Sequence, residues 1–306
     1  MLLPLLAGAA TAVPVAAGAV SLDDGDEKTS DQVTGESLVA TELVVLTDRV
    51  EAGKPFDVAV VFTCSPSWHL YWKNAGDSGA PPTVQWTLPA GFTAKELRFP
   101  VPSVHDVPGE KTYVHDGTLA LVATIVPPAD AATIPAESLL KADLMWMTCK
   151  EICLVGRRSH EARVPREATT DSTVAFKTAN TRMKPLLAQH PKASLRAIGA
   201  SASIDGDAAV VVLPPKTATA TFVPADTPGV VYGEPRMETT STGQPALKIP
   251  FTLKPQDALG KPLSVAGIVI IDATKSAPVA AEFALEPQGV AGNGQAPAKS
   301  PTKQKT

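Results

Sequence analysis

Cysteine is scarce in this 306-residue chain. Three are too few to staple a small disulfide scaffold, and a chain this long has no need of one. An excess of basic charge is also missing. Lys and Arg number 27 against 31 Asp and Glu, a formal net charge of −4, which argues against a nucleic-acid partner or an anionic membrane surface. Beyond residue 20 no apolar run is long enough to cross a bilayer. The 29 prolines disfavour long helices, because proline has no N–H to give to a helix or sheet ladder. What is present suits short strands and turns. Hydrophobic residues make up 44%, enough for ordinary buried cores, and the length suggests two domains.

Leu2 to Val20 is uncharged and rich in Leu, Ala and Val, and Ala17-Gly18-Ala19 is a small-x-small cleavage pattern. Residues 1–19 are therefore expected to be an export signal, although a basic n-region is lacking; a retained anchor is the alternative. Residues 20–37 are acidic and aperiodic, and read as a disordered leader. An exported chain would work where disulfides persist.

Strand patterning starts at Leu38. It recurs at 39–46, 56–62, 83–88, 92–99 and 118–126, and then on both sides of Cys149 and Cys153. Residues 101–109, with Pro102 and Pro108, read as a structured loop. Short strands joined by Gly/Pro turns predict a β-sandwich over 38–166. Residues 171–190 form the one helical stretch. Asp171 or Ser172 would cap it, Val174, Met183, Leu186 and Leu187 would form its apolar stripe, and Pro185 should kink or shorten it. It makes 167–191 a helical linker. Stretches 194–203, 208–213, 218–223, 246–253, 263–271 and 279–285 predict a second sandwich over 192–286, and 287–306 reads as a disordered tail. The expected fold class is all-β, two sandwiches joined by a short helical connector.

The chemistry centres on Met145-Trp146-Met147-Thr148-Cys149-Lys150-Glu151-Ile152-Cys153. If Lys150-Glu151-Ile152 is a hairpin loop, the cysteines are cross-strand neighbours within disulfide reach. A helical reading, with residues i and i+4 on one face, also lets the sulfurs meet. So small a loop gains little chain-entropy stabilisation, because that term grows with loop length. On the residues alone, a redox pair and an inert bridge stand level. A third reading is Cu(I) binding. Met145, Met147 and Cys149 alternate on a strand and share a face, and with Cys153 they offer soft thioether and thiol ligands, which His69 would join; core filling by the methionines is the plainer account. Cys64 ends a strand and is expected to be a buried free thiol. His69, Asp77 and Ser78 read as structural, and His105 and Glu110 either tune a cysteine or sit in a solvated loop.

Trp68-His69-Leu70-Tyr71-Trp72-Lys73-Asn74-Ala75-Gly76-Asp77-Ser78-Gly79, then Leu97-Arg98-Phe99-Pro100-Val101-Pro102, then Trp146…Cys149…Cys153 resemble the periplasmic amino-terminal domain family of the disulfide reductase DsbD. The likeness is to its longer ScsB-like form, whose second sandwich is matched by Ala220-Thr221-Phe222-Val223-Pro224 and Leu263-Ser264-Val265-Ala266-Gly267-Ile268-Val269. The resemblance implies immunoglobulin-like sandwiches and a redox role for Cys149 and Cys153, with Cys153 attacking. It implies protein-disulfide reductase chemistry in the periplasm without a cofactor. The electron donor would be a membrane electron-transfer protein and the acceptor an oxidised periplasmic thioredoxin-like protein. Residues 104–113 would cap the pair, with Val107, Pro108 and Tyr113 as what remains of an aromatic shield. Full-length relatives continue into transmembrane helices and a thioredoxin-like domain, so a donor on a separate chain is expected.

Overall fold

Period-two alternation is clearest in the longest strands, and those strands form the hairpin that carries the cysteines. In the computed structural model, which describes residues 33–254, 263–272 and 279–287, one helical turn, α1 (Gly35–Leu38), leads into ten strands. These are β1 (Val39–Val45), β2 (Phe56–Cys64), β3 (His69–Gly76), β4 (Thr83–Thr87), β5 (Thr93–Ala94), β6 (Ser103–Val107), β7 (Glu110–Asp116), β8 (Thr118–Val126), β9 (Glu137–Cys149) and β10 (Cys153–Pro165). The expected export signal, the leader up to residue 32 and the tail beyond 287 lie outside the described residues.

Two sheets form the first sandwich, ordered β1-β2-β8-β5 and β10-β9-β3-β7-β6, with β4 also paired to β9. Leu140, Ala142, Leu144 and Trp146 of β9 point into the core, while Lys141, Asp143, Met145 and Met147 point out. β2 and β8 instead carry continuous apolar stretches, 58–62 and 119–123, because both their faces are covered there. Val60, Phe62, Leu119 and Leu121 fill the core. Ala59, Val61, Ala120 and Val122 lie on the other face with Met183 of α2 (Thr170–Leu187).

The helix is capped by Thr169, which forms a capping box with Ser172, rather than by Asp171 or Ser172. Its buried contact is Met183, with Leu186 and Leu187 partly covered, whereas Val174 is exposed. Pro185 falls in the last turn, where it has no N–H to give to the carbonyl four residues back, and the helix runs only two residues further, to Leu187.

The second sandwich holds β11 (Ser201–Asp205), β12 (Ala208–Val212), β13 (Ala220–Pro224), β14 (Val230–Tyr232), β15 (Arg236–Thr239), β16 (Pro245–Leu253), β17 (Val265–Ile271) and β18 (Val279–Leu285). Its sheets are β11-β12-β16-β14, with β15 also on β16, and β13-β17-β18. The run Ile268-Val269-Ile270-Ile271 is apolar throughout because β17 is buried on both faces. Val265, Val269 and Ile271 face the second sandwich's own core. Ile268 and Ile270, with Val223 and Ala280, join the buried cluster of the first sandwich that holds Trp72, Phe99 and Tyr113. The fold is all-β, two immunoglobulin-like sandwiches with α2 between them in sequence.

Three further expectations change. Residues 92–99 follow the edge of β8 only intermittently, as β5 and an Arg98–Val122 bridge. Residues 101–109 are not a loop: β6 pairs with β7 in a hairpin, and Pro102 and Pro108 flank the strand rather than interrupt it. Residues 194–203 open as a 3-10 turn, Leu195–Ile198, which Gly199 ends at φ 72° before β11 begins.

Candidate redox centre

β9 and β10 pair without a slip from Glu137 opposite Pro165 to Cys149 opposite Cys153. The two cysteines are bonded, with Cα atoms 4.2 Å apart, so the hairpin reading holds and the helical one does not. Just below, Trp146 is fully buried and stands edge-on to Phe62 at 5.7 Å. Its cross-strand partner is Gly156, where any Cβ would collide with the indole. The base of the hairpin is therefore fixed. Its two sulfur-bearing residues differ: Cys149 is 3% exposed, whereas Cys153 is open to solvent beside the exposed Lys150, Glu151 and Ile152.

β3 runs beside β9 with His69 opposite Cys149, and Thr148 Oγ1 donates to the His69 carbonyl at 3.1 Å. Two residues on, and so on the same face, Tyr71 is buried and packs in a small cluster with Val114, Cys149 and Met147. Its hydroxyl lies 3.8 Å from Cys153 Sγ. Burial pushes the Tyr71 pKa up, against a smaller opposing effect of its hydrogen bond with Ser78. The phenol therefore stays protonated at neutral pH and can donate to a thiolate at Cys153.

A loop holds this tyrosine in place. Gly79 lies on the Tyr71 ring at φ 85°, where a Cβ would occupy the ring itself. Asp77 fixes the loop by accepting from the Lys111 N–H at 2.7 Å and donating its own N–H to the Lys111 carbonyl at 3.0 Å. Ser78 donates to Glu110. Asp77 and Ser78 are thus structural, as expected, but they bind the β6–β7 hairpin rather than their own backbone.

His105 of β6 stands edge-on to His69 at 5.4 Å, with its Nε2 3.7 Å from Asp116. Burial holds the His69 pKa below its usual value, and the neighbouring His105 adds to this, while Asp116 and Glu110 pull the other way. The expected shield needs correcting. Tyr113 turns away from the disulfide onto Trp72, at 6.3 Å, because residues 112, 114 and 116 take the redox face of β7 and 113 takes the opposite one. Val107 is 54% exposed at the hairpin tip. The buried side chains packed with Cys149 are Tyr71 and Val114, with Met147 and Ala75 partly buried beside them.

Met145 and Met147 do share the outward face with Cys149. Met145 is 43% exposed, and its sulfur accepts from the Arg157 guanidinium at 3.7 Å; Met147 is half-buried beside Cys149. Among the described residues no group of three or more His, Cys, Asp or Glu is placed to hold a metal ion. Cys64 is a buried free thiol, as expected. Burial, helped by the charge of Asp116, pushes it up to about 12, so it stays protonated.

A β-sandwich whose long hairpin closes a Cys-x-x-x-Cys disulfide at its end, one cysteine buried and the other presented, defines a domain of the thiol–disulfide exchange class. The comparisons give it a family. Residues 36–165 match the model of the N-terminal part of the thiol:disulfide interchange protein DsbD, and this portion of the chain is a DsbD N-terminal-like domain. The N-terminal periplasmic domain of ScsB from Proteus mirabilis has a similar fold, at TM-score 0.52 and 15% identity, over 81% of this chain and 94% of that one. The collagen binding subdomain of the Enterococcus faecalis surface protein ACE aligns at TM-score 0.23 and 8% identity, over 41% of this chain and 95% of that one. The comparison with curated proteins returns no match. Among the described residues no helix is long and apolar enough to cross a membrane.

Proposed function

We propose that this chain is a periplasmic protein-disulfide reductase that relays electrons through Cys149 and Cys153, from a membrane electron-transfer protein to an oxidised thioredoxin-like partner. The observation that carries this reading is the asymmetry of the pair. The exposed Cys153 has a protonated phenol at its sulfur, and the buried Cys149 is bonded behind it. A passive bridge has no need of that arrangement.

In the reduced chain, the Cys153 thiolate attacks one sulfur of the partner's disulfide. That bond breaks, a mixed disulfide forms, and the partner's leaving cysteine departs as a thiolate that takes a proton from water. Tyr71 donates to the Cys153 thiolate before attack. Cys149, deprotonated, then attacks the Cys153 sulfur. The internal disulfide reforms and the partner's second thiolate leaves and is protonated. Two electrons and two protons pass to the partner, and the membrane donor restores the dithiol by the reverse steps.

The test is capture. Cys149→Ser, which keeps the exposed sulfur, should hold an oxidised thioredoxin-like protein as a mixed disulfide through Cys153, and Cys153→Ser should hold far less. If neither variant captures a partner and the wild-type disulfide resists dithiothreitol, the pair is a passive bridge.

A further inference from the structure

The second sandwich contributes no cysteine, yet it grips both strands that wall the disulfide. On β3, the ladder with β7 breaks after Tyr71 opposite Val114 and resumes at Gly76 opposite Thr112, so residues 72–75 bulge opposite Tyr113 alone. A bulge re-aims the side chains it carries. Here it sends Lys73 and Asn74 to the second sandwich. Lys73 Nζ lies 3.1 Å from Glu282 of β18, and Asn74 Nδ2 donates to the Pro224 carbonyl of β13 at 2.9 Å. Asn74 Oδ1 accepts from the Gly76 N–H at 3.0 Å and so sets the start of the loop that lays Gly79 on Tyr71.

On β7, Lys111 Nζ is 3.6 Å from Glu234 and 3.1 Å from Asp106, while its backbone N–H and carbonyl hold Asp77. Between these polar ties the hairpin and the second sandwich are separated by a cleft of about 500 Å³ walled by Tyr113, Phe222 and Tyr232. The hairpin is thus tethered by side chains over that stretch rather than packed solid.

We infer that the second sandwich is a brace for the redox centre, and that Lys73, Asn74 and Lys111 are positioning residues that transmit its grip through the 76–79 loop to Tyr71. This rests on the exchange role proposed above for Cys149 and Cys153. Loosening the brace has two consequences of opposite sense. The disulfide becomes more open to a small thiol, because Gly79 no longer presses Tyr71 over it. The Cys153 thiol becomes less reactive at neutral pH, because the phenol is no longer held at its sulfur. General destabilisation predicts the first effect but not the second.

The test uses the full chain with Asn74→Ala, and separately with Glu234→Gln and Glu282→Gln combined. The comparison is Met183→Ala, which loosens the α2 contact elsewhere. Reduction by dithiothreitol is expected to speed up by about threefold to tenfold in the brace variants. The pH profile of Cys153 alkylation in the reduced protein should move to higher pH. Lys73→Glu combined with Glu282→Lys should restore both readouts towards wild type. The brace is overturned if both readouts stay at wild-type values, or if Met183→Ala moves them equally. If the variants shift dithiothreitol reduction and the alkylation profile while no thioredoxin-like protein exchanges with the wild-type chain, the brace stands and the exchange role falls.

Discussion

Two side chains bear on the sulfur of this protein, and neither is a cysteine of the pair. Tyr71 sits with its hydroxyl 3.8 Å from Cys153 Sγ, protonated as a phenol is at neutral pH, and burial raises its pKa further. Replacing it by phenylalanine keeps the packing on Val114 and Gly79 and removes only the donor. Exchange by Cys153 at neutral pH should slow by about tenfold, roughly 1.4 kcal/mol at the transition state, with a melting temperature close to wild type. An unchanged rate of mixed-disulfide formation would show that the hydroxyl plays no part. The second side chain is Asp116, whose charge adds to burial in raising Cys64 to about 12. Cys64 should therefore escape alkylation by iodoacetamide at pH 8 in the native reduced protein, while Cys153 reacts, and peptide mapping after labelling reads both. Cys64 does not attack the Cys149–Cys153 disulfide so long as it stays protonated. The bond between Cys149 and Cys153 and the buried state of Cys64 were legible in the sequence. The contact of Tyr71 with Cys153 was not, because it needs the parity of β3 set against that of β9 and a loop placed from far along the chain.

At the scale of elements, the candidate site is three pieces of backbone: the β9–β10 hairpin, β3 with its following loop, and the β6–β7 hairpin. The first was legible in part: residues 139–148 alternate well enough to read as a strand, while the sequence left a helical turn at the cysteines open until the pairing with β10 settled it. β2, β8 and β17 were legible as strands too, but the burial of both their faces shows only in the fold. The β6–β7 hairpin was not legible. Pro102 and Pro108 look like loop residues, and their harmless positions beside β6 depend on where the strand begins and ends. β14 and β15 were missed because they are short and sit among Gly, Pro and Thr, and they form only against β16. The loop of residues 77–82 is the element most open to test. At Gly79 both φ 85° and the ring of Tyr71 exclude a side chain. Gly79→Ala must strain the backbone and lift the loop or the tyrosine, a loss of about 2 kcal/mol or more in urea unfolding. The same variant should speed the reduction of the disulfide by dithiothreitol. A variant that keeps wild-type stability and wild-type reduction kinetics would mean that the loop does not cover the disulfide.

At the scale of the whole molecule, the end of the helical connector is hydrogen-bonded to both sandwiches, and two histidines lie there. The Gln189 carbonyl accepts from the Val101 N–H at 2.9 Å; Lys192 donates to the Ala280 carbonyl at 2.8 Å and accepts from the Glu282 N–H at 3.1 Å. His190 Nε2 bonds the Ala120 carbonyl at 2.9 Å. His115, on the core side of β7, is buried, and its Nε2 has no hydrogen-bond partner among the described residues. Burial pushes His115 down to about 3 from 6.5, and the nearby His190 adds to the shift. His190 is also lowered, first by burial and then by Arg98, while its bond to Ala120 and the charges of Asp57 and Glu282 oppose the shift. A histidine whose pKa falls on folding binds its proton more readily in the unfolded chain. Its contribution to stability is therefore fully present above pH 6.5 and is lost as the pH falls from there towards the folded value, about 3 for His115. Unfolding free energy should drop by a few kcal/mol between pH 7 and pH 4, beyond what the carboxylates account for. His115→Leu fills the same core position with nothing to protonate. Urea unfolding at pH 7.5 should change little, and at pH 4.5 the variant should be the more stable of the two. If wild type and variant lose the same stability on acidification, protonation at this junction does not limit the acid tolerance of the fold.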